Sequence, residues 1–425
     1  MKWGDLLRIK SEFPVRLWPK AVPTYSRWVR DSLAHNKPYD QFARELLTSS
    51  GSNFRDGPAN FFRAVTNRDP QSLGETAALI FMGARVNCAH CHGHPLEDWG
   101  VDDNLGLAAF FAKVGYKATS EWKEEIVFAN PKGVLRNPRT KEAVRPKFLG
   151  GAALDLDKEE DPRLKFAEWL TSPDNPWFAR NIVNRVWFWL LGRGIVQEPD
   201  DMRPTNPPED PELLDFLAKE LVSHHYGLKH IYRLVLNSKT YQLSSKTNPG
   251  NEKDIAHFSH YHTKRLGAEQ LSDAISRVTE NWERYASQIP EPFSRYPVGY
   301  RATQLADGSV GTAFLDLFGR PPRDTCYEEE RTSETSMWQA VYMINSEQLD
   351  GKLANSPRIK RLLDSGKSDS EVIDEIYLVA LSRLPNEQEK QKLTAFLSKG
   401  GQERAQAVRD MVWAVLNTKE FMFIR

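Results

Sequence analysis

Cysteine is scarce in this chain of 425 residues, which contains only three. Three thiols cannot form a disulfide scaffold, so the fold must be stabilised by packing. An excess of charge is also lacking, because 57 basic side chains are balanced by 57 acidic ones. Proteins that bind nucleic acids through their phosphates need a cationic surplus to displace counterions, so we predict no nucleic-acid partner.

Long hydrophobic runs are missing as well. The densest apolar stretches, at residues 77–84 and 186–191, are far shorter than the roughly 20 residues of a membrane-spanning helix. The first ten residues mix charged and apolar side chains and lack the roughly 7–15-residue hydrophobic stretch of a secretory signal. The sequence therefore predicts no transmembrane segment and shows no export signal.

The composition is that of a folded protein, with 40% hydrophobic and 11% aromatic residues. Apolar residues recur at helical spacing through most of the chain, so we predict a mainly α protein with two helical domains. Residues 124–151 carry Pro, Gly and Asn at short intervals, which predicts a small β-hairpin or an irregular insertion there. We place the domains at residues 1–150 and 151–425, with a candidate internal linker at 244–254.

One short segment has the pattern of a chemical site. Cys88-Ala-His-Cys91-His92 is a Cys-x-x-Cys-His sequence, the attachment signature of c-type haem. In such sites two thiols bond to the vinyl groups of the porphyrin and the adjacent histidine becomes an iron ligand. The leading interpretation is therefore that Cys88 and Cys91 hold haem c and that His92 binds iron.

Three other interpretations of this segment remain open. Cys88, Cys91, His92 and His94 could instead bind zinc, although the chain has no second Cys-x-x-Cys to complete the common ligand set. The two cysteines could form a redox dithiol, or they could be structural residues with hydrogen-bonded histidines beside them. The sequence does not decide whether the protein is an enzyme.

Two further groups of polar residues accompany the motif. His94 is a candidate second metal ligand, and Asp98 and Asp102 could orient a histidine ring or cap the helix that follows. Far along the chain, Cys326, Glu328 and Arg331 form the densest polar cluster and a candidate second pocket. A lone cysteine in such a segment is more often a packing residue than a nucleophile.

Both halves of the chain resemble known families. The run Gly83-Ala-Arg-Val-Asn-Cys-Ala-His-Cys-His-Gly-His-Pro-Leu-Glu-Asp-Trp resembles the second planctomycete cytochrome-type domain. The later half, with Asn184-Arg-Val-Trp and Phe318-Gly-Arg-Pro-Pro-Arg-Asp-Thr-Cys-Tyr-Glu-Glu-Glu-Arg, is similar to its companion, the first planctomycete-specific domain. Both are families of unknown biochemical function.

The resemblance implies a cytochrome-like protein in the periplasm or outside the cell. Members of the family usually begin earlier, with a signal peptide, so this chain looks like a truncated copy. A redox partner protein is the expected partner of a haem protein. An extracellular glycan, which the setting of the family suggests, is the expected partner of a zinc enzyme.

Overall fold

The computed structural model describes residues 1–289, 295–398 and 404–424. Of these residues, 48% are helical and 5% are in strands, which confirms the predicted mainly α fold. The chain forms two compact units. The first consists of Met1–His262, Ala306–Ser309 and Pro322–Glu330, and the second of Thr263–Leu305, Val310–Pro321 and Arg331–Arg425.

The described part of the first unit contains nine α-helices and two longer 3₁₀ helices. The α-helices are α1 (Lys2–Leu6), α2 (Ala21–Ala34), α3 (Tyr39–Thr48), α4 (Pro70–Met82), α5 (Val101–Ala109), α6 (Pro162–Leu170), α7 (Phe178–Leu191), α8 (Pro211–Ser223) and α9 (Leu228–Leu236). The 3₁₀ helices are Gly57–Arg63 and Val86–His90, and a single 3₁₀ turn covers Glu328–Glu330.

The second unit, as far as it is described, is almost entirely helical. Its helices are α10 (Ala268–Thr279), α11 (Ala313–Leu317), α12 (Met337–Asn345), α13 (Glu347–Ala354), α14 (Pro357–Asp364), α15 (Asp369–Leu381), α16 (Glu387–Ser398), α17 (Arg404–Leu416) and α18 (Lys419–Met422). Leu271, Val372 and Val408 lie in one buried apolar cluster that joins α10, α15 and α17. No described helix of either unit is long and apolar enough to cross a membrane.

The first unit also holds a small antiparallel sheet. Its strands β1 (Gly51–Ser52), β2 (Val114–Ala118) and β3 (Glu125–Ala129) are arranged in the order β1-β3-β2. A small hairpin or an irregular insertion was predicted near residues 124–151, and both are found: β3 lies there and pairs with β2, which begins earlier, at Val114, and residues 130–151 form turns with isolated bridges. Tyr116 of β2 donates its hydroxyl proton to the carbonyl of Phe62 at 2.7 Å. In the second unit, β4 (Lys264–Arg265) pairs with β5 (Phe423–Ile424).

The candidate linker at 244–254 lies inside the first compact unit. It is a hydrogen-bonded loop, in which the Asp254 carboxylate accepts the backbone N–H groups of Ala256, His257 and Ser259 at 2.8–3.0 Å. The division at 150/151 remains a prediction.

Helix α4 directly precedes the Cys-x-x-Cys-His segment. It begins with Asp69, whose carboxylate accepts the N–H of Ser72, and with Pro70 in the first turn. It ends at Gly83, whose φ of 65° lies in the left-handed region. A Cβ atom at Gly83 would lie within 2.6–2.9 Å of Met202, Asn181 and the carbonyl of Pro199. Only glycine therefore fits this turn.

Candidate functional site

The two cysteines of the motif lie on a short 3₁₀ helix and at its end. Val86 and Ala89 of this helix are buried, whereas Cys88 is half-buried and Cys91 is exposed. Both thiols are free. The buried apolar residues fix the helix to the first unit, whereas the two cysteines are partly or fully exposed.

His92 is exposed, and its Nδ1 lies 2.7 Å from the carbonyl oxygen of Gly93. A carbonyl can only accept a hydrogen bond, so Nδ1 must carry the proton and Nε2 a free lone pair. Nε2 makes no hydrogen bond in the described part of the chain. This is the state in which a histidine binds a metal.

His94 was a candidate ligand, but its ring is already engaged on both sides. Nε2 donates to the carbonyl of Arg85 at 3.1 Å, and Nδ1 accepts the N–H of Leu96 at 3.2 Å. The His94 backbone N–H also donates to the carbonyl of Trp99 at 2.7 Å. His94 closes the loop that contains the motif, and in this conformation it has no nitrogen free for a metal.

The groups that orient the motif come from α4 and α5. Glu75, the only charged residue of α4, has its Oε1 2.8 Å from Nδ1 of His90. Asn104 of α5 donates to the same oxygen at 2.9 Å and to the carbonyl of Val86 at 3.1 Å. The 3₁₀ helix therefore contacts α5 at its first residue, Val86, and α4 at its last, His90.

Asp98 and Asp102, the predicted orienting carboxylates, do not take this role. Both are exposed, and neither makes a hydrogen bond to a histidine in the described part of the chain. Asp103 is the capping residue, with Oδ2 accepting the N–H of Gly100 at 2.9 Å. Glu75 could have been noticed in the sequence as a lone carboxylate in an otherwise uncharged helix.

The candidate zinc ligands are not gathered in the described structure. No three of the donor atoms of Cys88, Cys91, His92 and His94 lie within 4.8 Å of one another. The zinc set at the motif therefore remains a prediction that requires the loop to rearrange.

A cavity of about 220 Å³ lies behind the motif in the first unit. Val86 and Asn87 of the 3₁₀ helix line it, and so do Asp324, Cys326 and Tyr327, which are some 240 positions later in the chain. This juxtaposition could not be predicted from the sequence.

Cys326 lines this cavity, but Glu328 and Arg331 do not. Glu328 accepts a hydrogen bond from the indole of Trp189 at 2.9 Å. Arg331 belongs to the second unit, where it makes two hydrogen bonds of 2.7 Å to the Glu269 carboxylate. The cluster that is compact in sequence is therefore divided among three different environments.

Burial raises the pKa of the Cys326 thiol to about 12. At pH 8 a thiol with that pKa is deprotonated in roughly one molecule in ten thousand, and the thiolate is the form that reacts. We expect iodoacetamide to alkylate the exposed Cys91 in the folded, haem-free protein and to leave Cys326 unmodified, with mass spectrometry of peptides as the readout. Equal labelling of Cys91 and Cys326 would show that the Cys326 thiol is not buried in the folded protein.

A buried ion-pair network is centred on Arg185 of α7. The guanidinium of Arg185 is fully buried and lies 2.6 Å from the Asp200 carboxylate and 3.6 Å from that of Glu328. It also donates to the carbonyl of Leu79 in α4 at 3.0 Å. Burial lowers the pKa of Arg185, but the two carboxylates raise it by more. Arg185 therefore remains charged and fixes α7 to α4.

Comparison with family models agrees with the resemblance seen in the sequence. Residues 162–397, more than half of the chain, match the family described as PSD1, protein of unknown function (DUF1553). The chain belongs to the PSD1 family. Residues 1–116 match PSCyt2, protein of unknown function (DUF1549), and this match contains the Cys-x-x-Cys-His segment. No curated protein and no solved structure is detectably similar to the chain.

The PSD1 match covers sequence from both compact units. Within the first unit, the PSD1 part supplies α6 to α9 and the segment Pro322–Glu330, and the PSCyt2 part supplies the motif. The cavity behind the motif is therefore lined by residues from both matched regions of the chain.

Proposed function

We propose that this protein binds c-type haem covalently at Cys88 and Cys91 and serves in extracytoplasmic electron transfer. The observation that carries the proposal is the state of His92, whose Nδ1 proton is held by the Gly93 carbonyl and whose Nε2 lone pair is free. The PSCyt2 match of residues 1–116 supports it, because that family is named as a cytochrome.

The residues of the motif fit the group that their pattern implies. Both thiols are free, one on the short helix and one directly after it, and each would add its sulfur to one carbon of a vinyl group and its hydrogen to the other. His92 would bind the iron through Nε2 without giving up its hydrogen bond to Gly93. When bound, the group supplies a reversible one-electron centre.

The surrounding residues perform a positioning role. Glu75 and Asn104 hold the 3₁₀ helix through His90 and the Val86 carbonyl, and His94 keeps the loop closed. Cys91 and His92 are exposed, and the neighbouring Leu96 is 49% exposed. An edge that is open to solvent suits exchange of electrons with a partner protein.

The absorption spectrum of the protein, exported with a signal peptide and matured by a cytochrome c assembly system, tests this proposal. We expect a Soret band and one haem per chain. A chain that carries one zinc ion and no haem would contradict the proposal and favour the metal-dependent enzyme, whose expected substrate is an extracellular glycan. A chain that carries neither haem nor zinc would also contradict the proposal and would favour a purely structural role for the motif.

A further inference from the structure

A second group of metal-ligating side chains lies outside the motif, where α8 meets α9. Glu220, His224 and His230 each place one donor atom within 4.8 Å of the donor atoms of the other two. They form the only such group of three among the residues that the structure describes.

The geometry is set by one helix and the turn that follows it. Glu220 and His224 are four residues apart at the end of α8, so they lie on one face. His230, in the first turn of α9, places Nε2 2.8 Å from Oε2 of Glu220, and Nδ1 of His224 is 3.5 Å from the same oxygen. Nδ1 of His224 is also 2.9 Å from the backbone carbonyl of Glu220, so Nε2 is the His224 nitrogen that is left for a metal. The two imidazole rings are stacked, with centroids 3.7 Å apart. One carboxylate oxygen therefore faces two histidines.

The connection between the helices is held in an uncommon conformation. His225 and Tyr226 have φ values of 53° and 55°, in the left-handed region that non-glycine residues rarely adopt. Tyr226 is buried, and its N–H donates to the carbonyl of Leu221 at 2.8 Å. Such backbone strain costs about 1–3 kcal/mol per residue and persists only where the surrounding structure enforces it. The turn holds the histidines together before any ligand arrives.

Two imidazole nitrogens and one carboxylate oxygen are ligands that zinc and similar divalent ions prefer. The side chains of His224, His230 and Glu220 are 48%, 29% and 27% exposed, so an ion can enter and a water molecule can take a fourth position. Three protein ligands with an open position are typical of zinc sites that bind or activate a further ligand.

We propose that Glu220, His224 and His230 form a binding site for a divalent cation of the zinc type. The site lies in the first unit and does not depend on the Cys-x-x-Cys-His segment. It links the end of α8 to the start of α9 and leaves one coordination position for water or for a donor group of another molecule.

The experiment uses the full chain with Cys88 and Cys91 replaced by serine, so that no motif thiolate can bind the ion. Isothermal titration with Zn²⁺ is expected to give one ion per chain. Glu220→Gln, which keeps the size of the side chain, and His230→Asn should each weaken binding by more than the roughly 10–100-fold that loss of a supporting contact causes. His225→Asn, next to the site, should leave the affinity unchanged because Asn tolerates the left-handed conformation.

Co²⁺ provides a second readout that does not depend on the Glu220 and His230 variants. Bound at the proposed site in the chain with Cys88 and Cys91 replaced by serine, it should give the visible bands of a four- or five-coordinate ion. Loss of zinc binding in the serine background, or affinity that Glu220→Gln and His230→Asn both leave unchanged, would overturn the proposal.

Discussion

Covalently attached haem is expected to be absent from a chain in which Cys88 and Cys91 are both replaced by serine. A serine hydroxyl does not add to a porphyrin vinyl group under the conditions of cytochrome assembly, so both thioether bonds are lost. The single variants should each retain at most one bond. Haem-dependent peroxidase staining of a denaturing gel measures the effect, because only covalently bound haem stays with the chain.

The third cysteine provides the matched control. Cys326→Ala removes a buried thiol that lines the cavity behind the motif and is not part of the Cys-x-x-Cys-His segment. This variant should carry as much haem as the wild type. If staining persists in the double serine variant, or disappears equally in Cys326→Ala, the assignment of the motif is wrong.

Replacement of Asp200 by alanine is expected to lower the free energy of unfolding of the first unit by about 3–5 kcal/mol. The variant leaves the fully buried guanidinium of Arg185 without its closest carboxylate, which lies 2.6 Å away in the wild type. Glu328, at 3.6 Å, compensates only in part. Guanidinium denaturation followed by tryptophan fluorescence measures the change, because nine of the twelve tryptophans belong to the first unit.

Two controls separate burial from charge. Asp155, whose partner is Arg145, is 84% exposed, so Asp155→Ala should cost no more than about 1 kcal/mol. The double variant Arg185→Met with Asp200→Leu removes both charges and should be less destabilised than Asp200→Ala alone. A cost of less than about 1 kcal/mol for Asp200→Ala would contradict the buried network.

The helical fold could be predicted from local sequence, whereas the chemistry of the motif remains a prediction. Apolar periodicity identified the helices, and the spacing of Cys88, Cys91 and His92 identified the candidate haem site. The first strand of the hairpin begins at Val114, before the predicted segment, and its Tyr116 hydroxyl contacts the carbonyl of Phe62, which is distant in the chain. Periodicity contains no information about such distant contacts.

The surroundings of the motif could not be predicted, because they too depend on contacts between residues that are distant in the chain. Glu75 and Asn104 reach it only because α4 and α5 pack against each other, with Gly74 beside Ala108 at the contact. Cys326 reaches the cavity from the other end of the sequence. The proximity of Cys326, Glu328 and Arg331 in the chain was misleading, because each side chain points to different neighbours.

The cavity behind the motif gives the PSD1 part of the chain a direct structural connection to the PSCyt2 part. Asp324, Cys326 and Tyr327 line the same space as Val86 and Asn87. A change at Cys326 or Tyr327 is therefore expected to be felt by the 3₁₀ helix, because Val86 and Asn87 line the same cavity.

The mass of the exported, matured chain under denaturing conditions is the decisive measurement for the haem assignment. We predict an increase equal to one haem, located by peptide mapping to the segment that contains Cys88 and Cys91. A chain of unmodified mass, purified from cells that attach haem to a control cytochrome, would contradict it.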